Sequence, residues 1–92
     1  MSLYDIAIET QKFIEQNIRA ILQPKYECMV FNTKHTTHNI HKIYNRAENV
    51  EIVLERPSGK WLSIDDLTIE EIFALAVSID CGEYDISNPS ID

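Results

Sequence analysis

The order of apolar patterns along this chain limits its fold more than any other feature. Residues 2–22 carry apolar side chains at a spacing near 3.6, which predicts an amphipathic helix that ends before Pro24. Apolar and polar residues then alternate around residues 25–31, 40–44, 50–54 and 61–64, a pattern typical of half-buried strands. A second helical pattern begins after Thr68 and ends before Gly82.

This order predicts an α+β domain. Strands joined by short turns pair antiparallel, so we expect an N-terminal helix, a three- to four-stranded antiparallel meander and a C-terminal helix, with both helices packed on one sheet face. A chain of 92 residues has room for one domain. We expect residues 1–82 to form it, and 83–92 to be a polar C-terminal tail that Tyr84 and Ile86 order in part.

Capping residues in the sequence predict where each helix begins. Thr68 with Glu71 fits a capping box, and Ser2 with Asp5 is a weaker version of the same pair. The second helix is expected to bury one apolar face, which includes Phe73 and Val77. A lone Trp in a small domain usually belongs to the core, so Trp61 is expected there.

Charge is distributed unevenly along the chain. Residues 1–46 hold six Lys or Arg and four acids, whereas residues 47–92 hold two bases and eleven acids. The net charge of −7 therefore arises in the second half, where an acidic surface would attract a basic partner. The candidate partner-binding residues are Asp65, Asp66, Glu70, Glu71, Glu51 and Glu55. For Glu71 alone, helix capping is the favoured interpretation.

The two cysteines and the hydropathy of the chain are used to predict the cellular compartment of the protein. Cys28 and Cys81 are expected to be buried or half-buried free thiols, because two cysteines make no disulfide framework. No apolar run approaches the ~20 residues of a membrane span, and the N-terminus does not resemble a signal peptide. We expect a cytoplasmic protein without a membrane or cofactor role.

Three histidines, His35, His38 and His41, are weak candidates for a zinc site. Their three-residue steps alternate between the faces of a strand, which argues against a shared metal, and exposed histidines are expected instead. They also belong to a basic strip around Tyr44 that could hold a nucleic acid. The helix–strands–helix order is similar to that of double-stranded RNA-binding domains. However, Asp65 and Asp66 lie near the place where those domains carry a lysine cluster, so nucleic acid is not the expected partner.

These observations favour a non-enzymatic protein-interaction module. In size and charge the chain is similar to immunity proteins, antitoxins and phage-encoded inhibitors, which suggests an acidic inhibitor or accessory factor that binds a basic protein. The alternatives are a structural or oligomerisation domain, in which the first helix could pair with its twin, and a metal-binding module built on the histidines.

Overall fold

The computed structural model describes residues 2–22, 28–46 and 51–87, with the side chains of Arg46 and Glu51 outside that description. Within these residues, two α-helices, α1 (Leu3–Ile21) and α2 (Ile69–Asp80), accompany one five-stranded sheet. The strands are β1 (Cys28–Val30), β2 (Lys42–Arg46), β3 (Glu51–Glu55), β4 (Trp61–Leu62) and β5 (Asp85–Ser87). A turn of 3-10 helix, Ile64–Asp66, precedes α2.

The sheet is antiparallel in the order β4-β3-β2-β1-β5. Four strands form the predicted meander, and β5 is an addition that the sequence did not predict. Asp85–Ser87 pair with β1, so part of the expected polar tail is the fifth strand of the sheet. The rest of that tail, residues 88–92, lies outside the described residues.

Strand register places the core on one sheet face. One row of paired residues crosses all five strands and is apolar at every position: Ile86, Met29, Ile43, Leu54 and Leu62. Buried residues of α1, such as Ile14 and Ile18, and of α2, such as Ile72 and Leu75, belong to the same core cluster. The predicted α+β architecture, with both helices on one face, is therefore confirmed.

Both helix starts have the predicted caps. The Ser2 hydroxyl accepts the Asp5 N–H, and the Asp5 carboxylate accepts the Ser2 N–H. The Thr68 hydroxyl accepts the Glu71 N–H at 3.2 Å, and Glu71 accepts the Thr68 N–H at 3.0 Å. These bonds satisfy backbone donors that the first turn of a helix leaves without a partner.

Trp61 lies on the sheet face opposite to the one that packs against α1 and α2. Because Leu62 points into the core, the preceding residue must point away from it. Trp61 is 50% exposed and stacks on Tyr44, with ring centroids 5.4 Å apart and planes inclined by 10°. The expectation that Trp61 belongs to the core is wrong for this reason.

The cysteines differ from each other. Cys28 is a buried free thiol, as expected, whereas Cys81 is an exposed free thiol. Cys81 is the C-cap of α2 and lies directly after Asp80, the last residue of the helix. The expectation of burial is therefore wrong for Cys81.

Candidate interaction surface on helix α2

The candidate acids fall into two groups, and the first group has structural partners. Asp66 accepts the Ser63 N–H at 2.9 Å and caps the 3-10 turn. Asp65 accepts a hydrogen bond of 2.6 Å from the Gln11 side chain, which ties this turn to α1. A carboxylate that already holds a backbone or side-chain donor is a poor choice for a partner contact, because binding would have to replace that bond.

Glu71 belongs to the same group. Besides capping α2, its carboxylate forms an ion pair of 2.8 Å with Arg56, whose guanidinium also donates to the carbonyl of Asn39 at 3.2 Å. The hydrogen bond from Arg56 is the main reason that the pKa of Glu71 is lowered. Asn39 has φ +52°, so Arg56 also holds a backbone residue in the left-handed region. Capping, the interpretation favoured from the sequence, is confirmed for Glu71.

A pair of substitutions separates structural from surface acids. We expect Glu71→Gln to lower the free energy of unfolding by about 1–2 kcal/mol, because it weakens a partly buried ion pair and a cap. We expect Glu70→Gln, one residue away and exposed, to change it by less than about 0.5 kcal/mol. Urea denaturation of both variants measures the difference, and equal losses would contradict these roles.

The remaining candidates lie on different elements. Glu55 lies half-buried on β3, between Lys42 and Trp61 in the strand register. The side chain of Glu51 lies outside the described residues. Glu70 is exposed on α2.

On the outward side of α2, Glu70 lies beside Phe73 and Val77, which the sequence predicts to face the core. Glu70, Phe73, Val77 and Asp80 follow one another at steps of three, four and three, so they lie on one side of the helix. Val77 is 60% exposed and Phe73 is half-buried. The expectation that Val77 packs into the core is therefore wrong. We call these four residues the α2 outer face.

The spacing of apolar residues in the sequence of α2 is sufficient to predict its outer face. Ile72, Leu75 and Ile79 are buried at steps of three and four, and Val77 lies about 200° around the helix from Leu75 and from Ile79. The apolar character of Val77 predicts a core position, whereas its place within the helical repeat points outward.

Charge surrounds the α2 outer face. Residues 61–87 include seven acids and no Lys, Arg or His. Glu70 and Asp80 are both exposed, and neither carboxylate has a hydrogen bond or an ion pair within residues 2–22, 28–46 and 51–87. An exposed apolar side chain between two free carboxylates can contact an apolar residue of a partner while the carboxylates pair with bases around it.

The histidines do not meet at a common site. His35 is exposed, His41 is half-buried and His38 is completely buried. No three metal-binding side chains come together anywhere in the part of the chain that the structure describes. The same separation breaks up the basic strip considered for nucleic acid, since His38 is not on the surface.

The burial of His38 corrects the expectation that the histidines are exposed. Its Nδ1 accepts the Ile40 N–H at 3.2 Å, and its ring meets Phe31 edge to face with centroids 5.0 Å apart. Burial lowers the pKa of His38 to about 4, against a smaller opposing effect of Glu71. His38 is thus a neutral core residue that fixes the loop between β1 and β2.

Comparisons with protein-family models, curated proteins and solved structures returned no significant match. Neither helix of the described chain has the length and apolar character needed to cross a membrane.

Proposed function

We propose that this protein is a non-enzymatic interaction module, a small acidic inhibitor or accessory factor, that binds a basic protein through the α2 outer face. The observation that carries the proposal is Val77, which is 60% exposed between the carboxylates of Glu70 and Asp80, neither of which has a partner among the described residues. The cytoplasm is the compartment we assign to it, since an exposed free thiol such as Cys81 suits a reducing environment.

The chemistry of the face supports a partner segment that is both basic and amphipathic. Glu70 and Asp80 stand ten positions apart, about 15 Å along the helix axis, with Val77 and Phe73 between them. A complementary segment has an apolar centre and a Lys or Arg toward each end, as a basic amphipathic helix does. The seven acids of residues 61–87 would also attract such a segment at long range and raise its association rate.

A synthetic basic helix tests the proposal. The probe is a labelled peptide of about 18 residues with Leu at helical spacing and Lys or Arg along both flanks, and its control is the same composition without the apolar stripe. We expect the patterned peptide to bind more tightly in fluorescence anisotropy, and its affinity to fall between about 50 mM and about 500 mM salt. Equal binding of both peptides would mean that net charge alone is responsible.

Substitutions locate the binding site of the peptide. Val77→Lys removes the apolar contact and adds repulsion, so we expect affinity to fall about tenfold or more. Asp80→Lys should weaken binding and reduce its salt dependence. Glu9→Lys on α1 has the same change of net charge at an exposed site elsewhere and is the matched control. The proposal is wrong if Glu9→Lys weakens binding as much as Asp80→Lys.

A further inference from the structure

Helix α1 carries a second set of residues beside those that it buries. Its core side is formed by Ala7, Ile14 and Ile18. The second set, which we call the α1 stripe, follows steps of three, four, three, four and three and consists of Leu3, Ile6, Thr10, Phe13, Asn17 and Ala20. Leu3 is 59%, Ile6 40% and Phe13 39% exposed. Alternating steps of three and four are the spacing of a helix that pairs with another helix.

Each of the two polar members of the α1 stripe with a side-chain donor forms one hydrogen bond within the helix. The Thr10 hydroxyl donates to the carbonyl of Ile6 at 2.7 Å, and the Asn17 side-chain amide donates to the carbonyl of Phe13 at 2.8 Å. Because these donors already have acceptors, covering them costs less than covering free polar groups. The stripe runs along a helix of 19 residues, which is about 28 Å long.

From this arrangement we infer that α1 pairs antiparallel with α1 of a second copy of the chain. The spacing of the stripe reads the same in both directions, so a two-fold axis between Thr10 and Phe13 aligns it with itself. In that register Leu3 lies opposite Ala20, Ile6 opposite Asn17, and Phe13 opposite Thr10. Each large side chain then meets a smaller one, as close packing requires.

A parallel pair would not have this complementarity. It would align Phe13 with Phe13 and Asn17 with Asn17, so that large residues compete for space at one level and short ones leave gaps at another.

This inference concerns a different surface from the proposed function. The α2 outer face has no residue in common with the α1 stripe, so each can fail without the other. A contact between two single helices is at the small end of specific interfaces, so we expect a dissociation constant in the micromolar range.

Sedimentation equilibrium of the full chain, up to about 300 µM, measures the association. We expect a monomer–dimer equilibrium that high salt leaves in place, because the contact is mainly apolar. Phe13→Lys should weaken it about tenfold or more. Ile8→Lys is the matched control, since Ile8 is 37% exposed on the same helix but lies outside the stripe. A monomer at all concentrations overturns the inference, and so does a dimer that Phe13→Lys leaves intact.

Crosslinking tests the direction of the pair. Leu3→Cys and Ala20→Cys are made separately in a Cys81→Ser background, which removes the exposed native thiol. Under mild oxidation we expect a disulfide-linked dimer when the two variants are mixed and little when either is alone. Efficient crosslinking of Leu3→Cys alone would show a parallel pair and overturn the antiparallel register.

Discussion

Replacing Phe31 with alanine is expected to lower the free energy of unfolding by about 3–5 kcal/mol. Phe31 is 1% exposed, and its ring contacts two segments that are far apart in sequence. One is the loop that holds His38, with ring centroids 5.0 Å apart, and the other is the segment before β5, where Tyr84 lies 6.1 Å away. The cavity left by alanine would loosen both. Urea denaturation followed by circular dichroism measures the loss.

The size of this loss is large for so small a domain. A chain of 92 residues is expected to have about 5–14 kcal/mol of stability in total. Phe31→Leu keeps an apolar side chain of similar volume and should cost less than about 2 kcal/mol. If alanine costs no more than leucine, Phe31 does not join the two segments in the way described.

Lowering the pH is expected to cause the second large effect. Between pH 6.5 and about pH 4 the free energy of unfolding should fall by at most about 3 kcal/mol. His38 in the unfolded chain takes up a proton near pH 6.5, whereas burial in the folded protein lowers its pKa to about 4. The stabilisation from its neutral form is complete above pH 6.5 and disappears as the pH falls through this interval. Glu71, with its lowered pKa, adds a loss of the same sign at still lower pH.

Measurement of unfolding free energy from pH 8 to about pH 4 tests this assignment. His38→Asn keeps a side-chain acceptor for the Ile40 N–H but has no group that titrates in the range. We expect this variant to be less stable than the wild type at pH 8 and to depend much less on pH down to about 4.5. A variant with the full slope of the wild type would place the titrating group elsewhere.

The parts of the fold that sequence reasoning predicts are those with local physical causes. The caps at Ser2 and Thr68 depend on residues three positions away, and the helical and strand patterns depend on spacing within one segment. β5 was missed because its sequence, Asp85-Ile86-Ser87, shows one apolar residue between two polar ones. Its partner β1 is more than fifty positions earlier, and no local pattern records that pairing.

The candidate site also depends on contacts between residues that are distant in sequence. Net charge identified the acidic half correctly as a property of sequence, but it could not say which acids are already bonded. Asp65 pairs with Gln11 and Glu71 with Arg56, and both partners come from other elements. The position of Val77 could have been predicted, since it follows from its angle relative to Leu75 and Ile79. The burial of His38 could not be predicted, because it depends on how the loop between β1 and β2 packs His38 against Phe31.

The position of β5 also has a kinetic consequence. β1 lies between β2, which pairs with it through a local connection, and β5, which pairs with it only after the chain has passed through α2. Contacts of such long sequence separation close late and slow a folding reaction. Until they close, the backbone donors and acceptors along the outer edge of β1 remain open to strands of other molecules. The risk of aggregation is thus concentrated in the interval before Asp85–Ser87 dock.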